Sequence, residues 1–138
     1  DLAVAANDAR FAVSGVNLGL FCATPSVALS RNLSRKAAFE MLVTGAFITA
    51  DEALAKGLIN RVAPVAELDA AVEALVAQIV GKPRVALAMG KALFYRQLET
   101  GIEAAYADAG ETMACNMMDE AALEGVQALI DKRAPNWR

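Results

Sequence analysis

The chain has 138 residues, 57% of them apolar and 21% charged, and its 13 Lys and Arg against 16 Asp and Glu leave a formal net charge of -3. That length supports one core and leaves little room for two independent ones, and the composition is that of a soluble globular protein. The acidic balance excludes a nucleic-acid surface, which needs a basic stripe, and the absence of histidine excludes hydrolase triads and zinc sites. No apolar run reaches the roughly 18 residues of a membrane span, so no membrane partner is expected. The opening Asp-Leu-Ala-Val lacks the basic region of a signal peptide, which makes the cytoplasm the expected location. Cys22 and Cys115 fit no metal-ligand spacing and are expected to be reduced, buried packing residues.

Asp1 to Ala6 reads as a short buried strand, Asn7-Asp8 as a turn, and Arg10 to about Val13 as a second strand. A chain that opens inside a sheet is expected to be a piece of a longer fold. The most informative stretch follows, FAVSGVNLGLFCATPSVALSR from Phe11 to Arg31. It runs from a buried strand through two glycines four apart to an apolar exit and a proline suited to a first helical turn. Glycine lets backbone approach a ligand and helix N-termini present free amides, so this order suits a small-molecule site. It equally suits an ordinary strand-to-helix connection, and two glycines alone do not decide between them.

Pro25 to Leu29 reads as a short helix. Ser34 caps a second one whose Ala37, Ala38, Met41 and Leu42 share a face, with Gly45 at its end. Thr49-Ala50-Asp51-Glu52 is a capping box that places a helix over about residues 50–56, stopped by Gly57 and followed by a β-like run from Leu58 to Val62. Asp51 and Glu52 read as capping and dipole complementarity rather than as catalysts. From Pro64 the pattern is helical. Leu68, Val72, Leu75 and Ile79 stripe one helix; Val85, Ala88, Met89 and Ala92 the next. Thr100-Gly101-Ile102-Glu103 reads as a second capping box before a helix with Ile102, Ala105, Tyr106, Ala109 and Met113 at helical spacing. The last helix, about Glu120 to Asp131, is striped by Leu123, Val126 and Ile130, has Lys132 and Arg133 at its negative end, and is stopped by Pro135. The methionines read as core filling or as part of a surplus apolar face buried against a neighbouring subunit.

DLAVAANDARF with SGVNLGLFCATPSVALSR, then KAAFEMLVTGAFITADEALAKGLINRVAP and the closing EGVQALIDKRAPNW, resembles the enoyl-CoA hydratase/isomerase (crotonase) family over essentially the whole chain. The VNLGLFC wording points to one branch within it. The match begins in mid-family, so the resemblance implies an α/β fold, the crotonase-like (ClpP/crotonase) ββα spiral, represented by its C-terminal portion. Residues 1–64 would be the C-terminal part of the α/β core, and residues 65–138 a helical oligomerisation region forming a homotrimer or a dimer of trimers. The implied substrate is an acyl-CoA thioester of fatty-acid metabolism, with no cofactor beyond it.

The chemistry is likewise implied by the resemblance. In the family, two backbone amides hold the thioester oxygen and stabilise an enolate, and both belong upstream of Asp1. The F-x-x-P-E pattern of hydratases matches Phe11-Ala12-Val13-Ser14-Gly15, which puts Ser14 at the proline and Gly15 at the glutamate; related isomerases place an acid at the position of Ala23. No catalytic residue is therefore expected here, and the chain alone is expected to be inactive. Ser14 and Asn17 lack a base to make either a proton carrier. In an otherwise intact scaffold, Gly15→Glu is expected to raise hydration by about 10²- to 10⁴-fold, the worth of a positioned acid-base group. Binding residues carry over instead: Gly15, Val16, Leu18, Gly19 and Leu20 match the acyl-pocket segment, Met113 an apolar position on the penultimate helix, and Lys132 a cation that approaches the CoA phosphates. Lys132 reads equally well as a plain helix C-terminal cation. Two readings follow, an enzyme working on a CoA thioester and a non-hydrating binding or assembly module of the same fold.

Overall fold

In the computed structural model, which describes residues 1–137, the chain enters through β1 (Val4–Ala6) and β2 (Arg10–Phe11), passes a 3₁₀ helix at Ser14–Leu18, and continues into α1 (Ala23–Asn32), α2 (Arg35–Thr44), β3 (Ile48–Thr49), α3 (Ala50–Lys56) and β4 (Arg61–Ala63). β1 pairs with β4 in parallel, Val4 opposite Arg61 and Ala6 opposite Ala63, while β2 pairs with β3 antiparallel, Arg10 opposite Thr49. Parallel neighbours need a long crossover, and the helices between β1 and β4 supply it. Asn60 finishes the ladder: its backbone N–H donates to the Ala3 carbonyl and its side-chain oxygen accepts from the Ala3 N–H, both at 2.8 Å. These partners set the strand lengths. The expected strands over Asp1 to Ala6 and Arg10 to Val13 shrink to three and two residues because β4 and β3 offer no more partners.

Local capping signals are realised closely. The Ser34 hydroxyl accepts from the Ala37 N–H, Gly45 and Gly57 close α2 and α3 in the left-handed conformation, and Thr49 with Glu52 forms the reciprocal box. The hydrogen bonds that Thr49 donates hold the Glu52 carboxyl below its ordinary value. Helix α1 is longer than expected, beginning at Ala23, so Pro25 sits within the first turn, where a missing N–H has no intrahelical partner to lose. The core of this unit, which spans Asp1–Ala74, gathers Ala5, Leu33, Ala38, Met41, Ile48, Ala53 and Ile59.

A short 3₁₀ turn at Val65–Glu67 leads to α4 (Leu68–Val80), and the second unit, from Leu75, contains α5 (Arg84–Gln97), α6 (Ile102–Met117) and α7 (Glu120–Ile130). Here the helices are where the pattern puts them, but their inward faces differ. On α5 the partly covered line is Ala86, Met89, Leu93 and Gln97, not Val85, Ala88 and Ala92. On α6 Ala105 is buried while Ile102, Tyr106 and Met113 are exposed; on α7 Ala128 is buried while Leu123, Val126 and Ile130 are exposed. Alanine faces let helix axes approach closely, and the larger apolar faces point outward. The Thr100 hydroxyl donates to the Gln97 carbonyl, which leaves Gly101 at the N-cap and the expected second capping box unformed. Both cysteines are free, but Cys22 is only half-buried and Cys115 exposed, against the expectation that both are buried.

The end of the chain folds back on α7. Lys132 N–H bonds Leu129 and Arg133 N–H bonds Ala128, a Schellman closure in which Lys132 takes the left-handed position at φ 55°. Arg133 forks both Glu124 oxygens at 2.7 and 2.9 Å, and the same carboxylate accepts from the Asn136 N–H at 2.7 Å. Trp137 lies over Gly125, where a Cβ would stand 3.1 Å from the ring.

Two outcomes are expected. Gly125→Ala gains about 1 kcal/mol of helix propensity but displaces the one tryptophan of the chain, so its emission shifts to the red; unchanged emission would mean the ring is seated elsewhere. Arg96 clasps Asp108 across α5 and α6 at 2.7 and 2.6 Å, and that hydrogen bonding holds the Asp108 carboxyl below its ordinary 3.8. A lowered folded-state value gives stability that is full above 3.8 and lost as pH falls through the folded value. Asp108→Asn is therefore less stable than the parent at pH 7 in urea denaturation, and the gap closes on acidification below 3.8.

Candidate functional site

The loop between β2 and α1 is built on close backbone approach. Leu20 N–H closes back onto the Gly15 carbonyl at 3.0 Å and Gly19 N–H onto Val16 at 3.1 Å, with Gly19 left-handed at φ 76°. The Asn17 amide donates to the Gly45 carbonyl at 3.1 Å and so ties the loop to the end of α2. Asn17 is thereby occupied as a clasp, and Ser14 is exposed with no base beside it among its hydrogen bonds.

Closure of this turn presents Leu18, Leu20 and Phe21 outward, Leu18 at 80% exposure, with Val16 half-buried against Gly45. Alongside lies an apolar recess of about 380 Å³ lined by Val13, Pro25, Ala28, Leu29 and Leu58 among others. The loop is also free of acid: from Ala9 to Phe39 the sequence contains no Asp or Glu, and Ala23, at the isomerase acid position, opens α1 as an exposed methyl. An apolar, carboxylate-free surface offers area to an apolar ligand but has nothing with which to move a proton.

Gly15 is constrained further than the sequence disclosed. A Cβ placed there would stand 2.5 Å from Cys22 Sγ and 2.7 Å from the Leu20 carbonyl oxygen. The gain expected from Gly15→Glu presupposes an otherwise intact scaffold, and these contacts mean that the loop must shift before a side chain fits at position 15. The contact joins residues seven apart through a loop conformation, for which the sequence carries no signal.

The remaining binding positions belong to the second unit. Met113 is exposed on α6, and Lys132 is exposed just beyond the C-cap of α7 in the left-handed conformation, still at the negative end of that helix. A second recess, about 430 Å³, is lined by Arg84 with Asp119, Glu120 and Glu124 and does not include Lys132. Its Glu124 is already paired with Arg133, which leaves Arg84 facing Asp119 and Glu120. Among the described residues no cluster of His, Cys, Asp and Glu could hold a metal, and no helix is long and apolar enough to cross a membrane.

Comparison with known proteins places this geometry. The family model described as enoyl-CoA hydratase/isomerase matches residues 1–138. The mouse protein named enoyl-CoA hydratase domain-containing protein 3, mitochondrial, is 45% identical over 99% of this chain and 46% of its own length, and represents the branch to which VNLGLFC points. A crystal structure of enoyl-CoA hydratase from Mycobacterium smegmatis is 69% identical with a TM-score of 0.93, covering 99% of this chain and 53% of that one. The crystal structure of human enoyl-CoA hydratase domain-containing protein 3 is 43% identical with a TM-score of 0.89, covering 99% and 54%. The chain thus spans about half the length of these relatives. The rat and human relatives, like the mouse one, carry "mitochondrial" in their names, which overturns the expectation of a cytoplasmic protein. Matched along its full length and sharing the crotonase-like α/β fold of solved hydratases, the chain belongs to the enoyl-CoA hydratase/isomerase family.

Proposed function

We propose that the complete protein acts on an acyl-CoA thioester of fatty-acid metabolism through an enolate stabilised by two backbone amides, and that this chain supplies the acyl-pocket wall and a CoA anchor. The observation that carries the reading is the 69% identity to a solved enoyl-CoA hydratase across 99% of the chain. Gly15, Val16, Leu18, Gly19 and Leu20 form the wall, Met113 adds apolar surface, and Lys132 meets the CoA phosphates. Two preorganised donors aimed at the thioester oxygen lower a barrier by several kcal/mol, and by the family pattern they belong to the half of the fold that precedes Asp1. Hydration adds hydroxide at C3 and a proton at C2, so a proton carrier is also needed. No carboxylate stands at Gly15 or Ala23, so in this reading the preceding half supplies the proton carrier as well.

The exposed apolar faces of α6 and α7 support assembly into a homotrimer or a dimer of trimers, in which Ile102, Tyr106, Leu129 and Ile130 would be covered. The acid-free loop favours a second reading, a module that binds CoA thioesters without hydrating them.

Turnover separates the two readings. The complete gene product is expected to hydrate short trans-2-enoyl-CoA substrates far above the uncatalysed rate; binding of these thioesters without turnover at any chain length would establish the module and end the enzyme reading. Lys132→Gly separates fold from anchor. Releasing a left-handed lysine is expected to stabilise the complete protein by about 1 kcal/mol while weakening its affinity for CoA thioesters, read by thermal melts and calorimetric titration. Unchanged affinity would remove Lys132 from the site.

A further inference from the structure

We infer that Cys22 is a specificity-determining residue of the loop: its thiol, with the Leu20 carbonyl, fills the space in which a side chain at position 15 would begin, so that packing excludes an acid there. The inference rests on the proposed function only for its catalytic consequence; the steric part stands on the loop itself.

The geometry is one-sided. Gly15 has a φ that any residue adopts, so its lack of a side chain answers to crowding and not to backbone strain. Other glycines of the chain are different: a Cβ at Gly19, Gly57, Gly90, Gly101 or Gly110 would meet nothing within 4 Å. At Gly15 it meets two atoms of unequal stiffness. Cys22 Sγ, at 2.5 Å, is a side-chain atom that rotation or substitution removes. The Leu20 oxygen, at 2.7 Å, is backbone, held by the turn that Leu20 N–H makes to Gly15. Cys22 sits at the N-cap of α1, half-buried, so the turn that enters the helix brings its thiol against Gly15. A side chain at position 15 therefore meets the thiol first, and replacing Cys22 lowers the resistance to it.

A double-substitution cycle on the complete gene product tests this. Gly15→Glu alone is expected to lower the melting temperature by about 5 °C or more and to leave hydration at the parental level. In the Cys22→Ala background the same change is expected to lose no more than about half as much stability, with hydration tenfold or more above the single variant. The inference is overturned if Gly15→Glu melts with the parent, if its loss is the same whatever stands at position 22, or if hydration rises equally in both backgrounds. Gly15→Ala provides the same cycle with the smallest side chain, should the glutamate prevent folding. A double alanine variant that is no more stable than Gly15→Ala overturns the coupling. Because melting is read without substrate, a complete protein that bound no CoA thioester would defeat the proposed function while leaving this coupling intact.

Discussion

Close approach between backbones, allowed by side chains of one carbon or none, is the constraint from which the other features of this structure follow. Ala50 and Ala53 are fully covered at 0% exposure, Ala38 and Ala128 at 1%, and no large apolar side chain is completely enclosed among the described residues. Dispersion and burial fall steeply with separation, so elements faced with alanine gain contact only by coming close, and then they have no room for bulk. The first unit still covers Leu33, Met41, Ile48 and Ile59, but on the helical unit the larger side chains go elsewhere. Ile102, Tyr106, Met118 and Leu129 stand at 74% exposure or more on the helical unit, an outward apolar load far above what scattered surface residues explain. The same closeness recurs at Gly45 against Asn17, at Gly125 against Trp137, and at Gly15 against Cys22.

This inversion explains which parts of the fold were legible. Helix ends were, because a cap is settled within four residues: the hydroxyl of Ser34, the box of Thr49 with Glu52, and the left-handed Gly45 and Gly57 all stand where the local pattern puts them. Helix faces were legible only in part: Ala38, Met41 and Leu42 are buried on α2, and Leu68, Leu75 and Ile79 are partly covered on α4, as the pattern puts them, but α5, α6 and α7 turn other faces inward. Apolar periodicity weights Leu, Ile, Val and Met, so on α7 it selects Leu123, Val126 and Ile130 as the inward stripe, whereas the covered positions are Ala121, Ala122, Gly125 and Ala128. Both faces of such a helix are apolar, and bulk marks the face that needs a partner as readily as the one that has it. The Thr100 box failed for a related reason: the hydroxyl found the carbonyl of Gln97, a competitor that a four-residue pattern does not contain. Strand ends failed because β3 and β4, distant in sequence, decide how much of β2 and β1 is paired.

For the candidate site, residue types were legible and their mutual constraints were not. The empty positions at Gly15 and Ala23 follow from reading the chain against a family pattern. The clasp from Asn17 to Gly45 spans 28 residues, and the crowding at Gly15 depends on the path of the loop, so neither leaves a local trace. Lys132 was visible as a cation but not as a left-handed residue, because Asp-Lys-Arg after an alanine-rich helix has no glycine to mark the turn.

These constraints bear on how readily position 15 could accept an acid. A glycine retained only for flexibility is replaced at little cost, and the position stays open to an acid by a single change. A glycine against which a thiol and a carbonyl are packed is different, because its neighbours have taken up the space and the first step back meets resistance from both. The loop then keeps what packing preserves, an apolar surface with Leu18 and Leu20 outward, and lacks what packing forbids. Apolar contact and proton transfer thereby come apart physically: the first needs only area, which this loop exposes, while the second needs a carboxylate placed to within hydrogen-bond reach, for which position 15 has no room.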